Sequence, residues 1–182
     1  MTKIAVVTGA AGGMGQAICR QLLADGWSVI GLDIDWPDSA VIDDSAFRAV
    51  TGDLSDAGTV RAIFDGIEAH EGRVDVLVNN AGTCFMSDFP DIPAEEFQRQ
   101  MAVNFDSCFH CCQAVIPLMQ NGDGVRKIIN ISSNGAYNFD VFDPPHYRAS
   151  KAAMDTLTKD LARRYATEKI AVNSIAPAMT ET

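Results

Sequence analysis

Short runs of aliphatic and β-branched residues alternate along this chain with segments whose apolar positions recur every three or four residues. The runs at 3–8 (KIAVVT), 28–33 (SVIGLD), 46–50, 74–79 (VDVLVN), 125–132 (VRKIINIS) and 170–175 predict six strands. The segments 16–24, 57–71, 93–102, 105–119 and 147–167 predict helices; in the first of them Ile18, Leu22 and Leu23 share a face. Strand and helix in alternation predict an α/β fold, a doubly wound parallel sheet with helices on both faces. Ligands of such sheets bind beyond the carboxyl ends of the strands. There the sequence places a glycine-rich turn at 9–15, Asp33, the Asn79-Asn80-Ala81-Gly82 run and the Ser132-Ser133 pair. Residues 36–45 and 138–145 read as irregular loops.

Composition narrows the class. The chain has 182 residues, 47% of them apolar and 21% charged, which fits one globular domain over 1–182 rather than a disordered chain. Fourteen Lys+Arg against 24 Asp+Glu leave a formal net charge of -10, which disfavours nucleic acid or an anionic lipid surface as a partner. No stretch approaches the ~20 apolar residues of a membrane span, and the first apolar run is too short for a signal peptide. The expectation is a cytoplasmic protein without a membrane or nucleic-acid partner. Five cysteines, an odd number, argue against a disulfide framework. Cys108, Cys111 and Cys112 have the look of metal ligands. They fall on one helical face, however, which Val115, Ile116 and Met119 continue, and no second Cys/His pair completes a tetrahedral site. Buried packing is the expectation, with no metal.

The glycine turn, Thr8-Gly9-Ala10-Ala11-Gly12-Gly13-Met14-Gly15, stands between a strand and a helix. Such a turn lets backbone N–H groups approach a pyrophosphate at the positive end of the helix, although glycines also simply permit tight turns. Asp33 ends the second strand, where a carboxylate accepts both ribose hydroxyls of an adenosine and repels a 2′-phosphate; read alone, it is equally an exposed loop acid. Tyr147 and Lys151 are four residues apart, on one face of a helix. An ammonium beside a phenol lowers the phenol's pKa and suits it to acid–base work. By itself this spacing is common on solvated helix faces.

As a set, these features closely resemble the classical short-chain dehydrogenases/reductases, from Lys3 to the last residue. The glycine pattern T-G-x-x-x-G-x-G is matched at Thr8, Gly9, Gly13 and Gly15, N-N-A-G at Asn79 to Gly82, and Y-x-x-x-K at Tyr147 and Lys151. The family's catalytic serine fits Ser133, its catalytic asparagine Asn104, and its adenine-contacting acid Asp53. The resemblance implies a Rossmann-type fold and an NAD-dependent oxidoreductase that passes hydride between the nicotinamide and a secondary alcohol or ketone. In that scheme Tyr147 exchanges a proton with the substrate oxygen, and Ser133 hydrogen-bonds the same oxygen. Lys151 tunes Tyr147 and holds the nicotinamide ribose, and Asn104 holds a water linking Lys151 to solvent. The implied NAD site adds Met14, Leu54, Asn80, Ala81 and Gly82 to the glycines, Asp33 and Asp53. Pro177, Thr180 and Thr182 complete it near the nicotinamide.

Two departures stand out: Pro177-Ala178 replaces the family's Pro-Gly, and the chain stops at Thr182, before the family's substrate-covering segment and seventh strand. The expectation is a truncated chain with six of seven strands. Thr83, Cys84, Phe85, Asn134, Tyr137, Phe139 and Phe142 are the expected pocket lining, with Asp140 and Asp143 adding negative charge. His146 reads as an exposed loop histidine at the pocket mouth. A homodimer or homotetramer is expected through helices 105–119 and 147–167. Phe109, Cys112 and Ile116 on the first, and Met154, Leu157, Leu161 and Tyr165 on the second, would supply apolar stripes. A hydrolase is disfavoured by the lack of G-x-S-x-G, and a P-loop by the lack of G-K-[ST] after the glycines. The rival is a catalytically silent NAD-binding sensor or scaffold, which needs the glycine turn and Asp33 but not the four catalytic residues.

Overall fold

Strand β1 (Ile4–Thr8) sends Val6 to one face of the sheet and Ala5 and Val7 to the other, and all three are fully buried. The same division holds in β2 (Ser28–Asp33), with Ile30 and Leu32 opposite Val29, and in β4 (Val76–Asn79), with Leu77 opposite Val76 and Val78. Burial on both faces is why these strands read as continuous apolar runs. With β3 (Phe47–Thr51), β5 (Arg126–Ile131) and β6 (Ile170–Ile175) they form one parallel sheet in the order β3-β2-β1-β4-β5-β6. Val6 pairs with Ile30 on one side and Leu77 on the other. The strand order reverses between β1 and β4, and the crevice at that switch point is where a doubly wound sheet binds ligands. The computed structural model describes residues 2–120, 124–138 and 143–178.

Helix α1 (Gly13–Ala24) covers one face through Cys19, Ile18, Leu22 and Leu23. On the other face lie α2 (Ala57–Glu71), α4 (Ser107–Gln120) and α5 (Pro145–Arg164), whose Phe64, Cys111, Val115 and Met154 pack in one core with Val6, Leu77 and Ile128. Asp56 caps α2 by accepting the Thr59 N–H at 2.7 Å, and Gly72, at φ 69°, closes it in a left-handed turn.

The helices at 93–102 and 105–119 are one continuous path. Helix α3 (Ala94–Met101) passes through a π-helical turn at Ala102–Asp106 directly into α4, and Asn104 sits in that turn. A π-turn keeps the backbone hydrogen-bonded while rotating the side chains, which apolar spacing reads as a break. Helix α5 starts two residues earlier than expected, because Pro145 occupies its first turn, where the missing N–H costs nothing.

Cys108, Cys111 and Cys112 are free, buried thiols in the core under α4, and Cys19 is buried under α1. Most of the two apolar stripes on α4 is buried within the chain. Cys112 and Ile116 are buried, as are Met154 and Leu161 on α5, and of the expected stripe only Phe109 stays exposed. The reason is local: α4 lies between α2 and α5 above the sheet, so it buries apolar residues on more than one side.

Candidate active site

Two cavities adjoin at the carboxyl ends of the strands. The larger, about 670 Å³, runs from the glycine turn over Asp33 and the Gly52–Ser55 turn, and the smaller, about 430 Å³, holds Ser133, Tyr147 and Lys151. Met14, Asn80, Gly82 and Thr83 line both, so they form one cleft with a glycine-lined chamber on one side and the chamber of Ser133, Tyr147 and Lys151 on the other.

The glycine turn is held from three directions. Gly9 has a φ of 63°, and a Cβ there would stand 2.8 Å from Ala81 Cα. A Cβ on Gly15 would stand 2.0 Å from the Gly9 carbonyl oxygen. Thr8 Oγ1 accepts the N–H groups of Asn80 and Ala81, both at 2.9 Å, and Asn80 Nδ2 donates to the carbonyls of Thr8 (3.0 Å) and Gly9 (3.1 Å). This clamp joins β1 to the Asn79-Asn80-Ala81-Gly82 run across the switch point. No side chain caps α1 at Gly12 and its first turn carries no acid, so Gly12 to Gly15 present the helix's positive end to the larger cavity. Asp33 lines that cavity while Oδ2 accepts the Ala11 N–H at 2.8 Å and Oδ1 the Ile34 N–H at 2.7 Å. Asp53 Oδ1 accepts from the N–H (2.9 Å) and hydroxyl (2.7 Å) of Ser55, which shapes the turn that presents Leu54.

In the smaller chamber, β5 delivers Ser133 and α5 delivers Tyr147 and Lys151. The Ser133 hydroxyl contacts the Tyr147 phenol and accepts the Gly135 N–H at 3.1 Å. Lys151 is 4% exposed and donates from Nζ to the Ile131 carbonyl at 2.8 Å. Its Nζ and Asn104 Oδ1 each lie 3.4 Å from where a Gly82 Cβ would be, so the three motifs meet within van der Waals reach of one another. Asn104, fully buried, accepts the Thr83 N–H at 2.8 Å and donates to the Thr83 carbonyl (2.9 Å) and Ser150 Oγ (3.0 Å). Both of its amide hydrogens are therefore committed to protein, and its side chain ties the β4 loop to α5.

The electrostatics also differ from expectation. Burial holds the Tyr147 phenol above its usual 10, with a smaller upward push from Asp143, while the bond from Ser133 pulls it down. Burial pulls the Lys151 ammonium from 10.5 to about 8. The ammonium is turned to the Ile131 carbonyl, so desolvation of the phenol outweighs the lowering expected from Lys151.

Gly9, Gly13, Met14, Gly15, Asp33, Asp53, Leu54, Asn80, Ala81 and Gly82 all line the larger cavity. Ser133, Tyr147, Lys151 and Pro177 line the smaller one, and Asn104 buttresses it. Pro177 is held by the Asn134 N–H, which donates to its carbonyl at 2.8 Å. Thr83, Cys84 and Phe85 line the cleft. Tyr137 turns away, its hydroxyl against Asp155 and Ser174. Thr180, Thr182, Phe139, Asp140 and Phe142 lie outside the described residues. His146 is a correction: it is buried in the first turn of α5, with Nε2 3.2 Å from Glu96 Oε1 on α3. The earlier start of α5 draws it inside. Gln100, Ser150 and Asp155 are buried polar residues of the site that local pattern did not reveal. Gln100 stands one turn before Asn104, a spacing that could have flagged it; its Nε2 donates to the Thr83 carbonyl at 2.7 Å and its Oε1 accepts the Phe85 N–H at 3.0 Å.

A family model described as short chain dehydrogenase matches residues 3–182. The chain is 38% identical to an acetoacetyl-CoA reductase from an Acinetobacter species, across 99% of this chain and 75% of that protein. A short chain dehydrogenase from Leptospira borgpetersenii with bound NAD+ matches the structure with a TM-score of 0.93 at 27% identity, over 100% of this chain and 73% of that one. The RhlG/NADP active-site complex from Pseudomonas aeruginosa matches with a TM-score of 0.90 at 30% identity, over 98% and 73%.

Proposed function

Because the chain belongs to the short chain dehydrogenase family of oxidoreductases, we propose that it transfers hydride between a nicotinamide cofactor and a secondary alcohol or ketone, with Tyr147 as the acid–base residue. The observation that carries this reading is the joined cleft, in which Ser133, Tyr147 and Lys151 meet beside Gly82 at the end of a glycine-lined nucleotide chamber. The clamped glycine turn and the uncapped start of α1 suit a pyrophosphate, so the residues present fit a dinucleotide. When bound, that group supplies the hydride donor or acceptor.

The chain's own residues do the rest. Gly9 to Gly15 would hold the phosphates, Asp53 and Leu54 the base, and Lys151 a ribose of that cofactor. In alcohol oxidation Tyr147 takes the hydroxyl proton; in ketone reduction it returns that proton to the oxygen. Ser133 stabilises the charge developing on the same oxygen. Asn104 and Gln100 fix Thr83, and with it the wall of the chamber, against α5.

Asp33 favours NAD over NADP, since its carboxylate faces the larger cavity and would repel a 2′-phosphate. The acetoacetyl-CoA reductase relative supports a ketone or secondary alcohol as substrate. No helix among the described residues is long and apolar enough to cross a membrane; with the net charge of -10, a cytoplasmic enzyme of small molecules is the fitting setting. A homodimer or homotetramer would use the exposed Phe97 and Phe109 on the α3–α4 path. The test is reduction of NAD+ by a panel of secondary alcohols, read as NADH absorbance with the purified protein. Turnover supports the reading, and tight binding with no turnover against any alcohol or ketone contradicts it.

A further inference from the structure

Asp155 is a buried carboxylate that the scheme above leaves unused. It stands on α5 one turn beyond Lys151, so the two side chains share a helix face. Lys151 Nζ donates to the Ile131 carbonyl at 2.8 Å, and Asp155 Oδ2 accepts from Ser132 Oγ at 2.9 Å. The two charged side chains thus hold consecutive residues at the end of β5, immediately before Ser133. On its outer side the Asp155 carboxylate meets the Tyr137 hydroxyl, which also contacts Ser174 of β6.

A buried ammonium needs a compensating charge. The groups that act on Lys151 are Cys108 from α4, Cys84 from the loop after β4 and Asp155 from α5 itself; Tyr147, one turn earlier on α5, shares its chamber. A hydrogen bond with Cys112 and burial hold the Cys108 thiol up, and burial does the same for Cys84 and for the Tyr147 phenol. Those three groups are therefore neutral around neutral pH. Asp155 is the carboxylate among them.

We propose that Asp155 is a positioning residue of this active site, supplying the counter-charge that keeps Lys151 an ammonium and anchoring, through Ser132, the strand end that carries Ser133. The proposal rests on the reading of Tyr147 and Lys151 as the acid–base pair. It separates two roles that one residue performs. The charge acts on Lys151, and the hydrogen bond acts on Ser132.

Two substitutions divide those roles. Asp155→Asn keeps the shape and an acceptor for Ser132 but removes the charge. Ser132→Ala keeps the charge and removes the bond. The Lys151 ionisation is read directly in the cofactor-free protein by NMR of ε-13C-lysine, with the signal assigned by its loss in Lys151→Met. Asp155→Asn is expected to lower the Lys151 midpoint by about one pH unit and to move down with it the limb of kcat/KM for alcohol oxidation that follows Lys151. Ser132→Ala is expected to lower kcat while leaving the midpoint and the limb in place. An unmoved midpoint in Asp155→Asn, or equal changes in the two variants, would overturn the proposal, since a merely structural residue gives one or the other. A variant that fails to fold does not end the test. In the wild-type protein the carboxyl 13C signal of Asp155 must show it ionised throughout the range in which Lys151 titrates, and a protonated Asp155 at neutral pH overturns the proposal. If no alcohol is turned over, the catalytic reading falls, while a midpoint lowered only by Asp155→Asn still upholds the counter-charge.

Discussion

Replacing Asn104 by alanine removes three hydrogen bonds at once: one accepted from the Thr83 N–H, one donated to the Thr83 carbonyl and one donated to Ser150 Oγ. Two of the groups left behind keep other partners. The Thr83 carbonyl still accepts from Gln100 Nε2 at 2.7 Å, and Ser150 Oγ still donates to the Tyr147 carbonyl at 2.6 Å. Only the Thr83 N–H, in a half-buried residue, is orphaned. Three bonds at a net of about 1 kcal/mol each, with the orphan at the low end of its penalty, give a loss of about 3 kcal/mol. For a chain of this length that lowers Tm by roughly 6–12 °C, and a folded population survives. Differential scanning fluorimetry reads the first effect. Activity should fall further than stability explains, because Thr83 and Tyr147 lose their common anchor, and a displacement of about 1 Å at the reacting atoms costs on the order of a hundredfold. A Tm within ~2 °C of wild type, together with unchanged kcat/KM, would refute the view that Asn104 joins the β4 loop to α5.

Asp33→Ala should narrow the preference for NAD over NADP in kcat/KM by removing the carboxylate that faces the ribose site, and a wild-type protein that uses NADP equally well or better contradicts the assignment. The Ser133 bond lowers the Tyr147 pKa and Asp143 raises it. In alcohol oxidation Tyr147 works deprotonated, so the limb of the pH–rate profile that follows Tyr147 should move up in Ser133→Ala and down in Asp143→Asn; shifts in the same direction would count against Tyr147 as the titrating base. Ile116→Glu buries a charge in the core shared by α2, α4 and the sheet. It should abolish the native far-UV circular dichroism signal, whereas a folded monomer in sedimentation would show instead that Ile116 faces a partner subunit.

The sheet and the cofactor chamber were legible in the sequence because their causes are local. β1, β2 and β4 are apolar runs since both faces of each are buried, and the glycine turn marks places where Gly9 and Gly15 admit no Cβ. Their motifs also stand at the strand ends that the topology brings together. What escaped was the cross-element chemistry. Asn104 sits in a π-turn that apolar spacing reads as a gap between two helices. His146 reads as a loop residue in sequence because the onset of α5 depends on Pro145 and on packing against α3. Gln100 and Asp155 carry ordinary helix-surface side chains in sequence, but in the fold Gln100 is bonded to the 83–85 segment and Asp155 to Ser132, and both are buried. The second stripe on α4 suggests a partner subunit, yet its Cys112 and Ile116 are already buried in the chain's own core, which leaves Phe109 exposed. A pattern along one helix reports that a face is covered and not what covers it.

The central claim is that Tyr147 exchanges the proton that accompanies hydride transfer. Its most direct test compares Tyr147→Phe with wild type in two measurements on the same preparations, NADH affinity by fluorescence titration and kcat for the best secondary alcohol of the panel. Phenylalanine keeps the ring in its half-buried place and removes only the hydroxyl. The account predicts an NADH Kd close to wild type and a kcat lower by ~10²–10⁴-fold. A Tyr147→Phe protein with near-normal kcat, or a wild-type protein that binds NADH and turns over no alcohol or ketone, would contradict it.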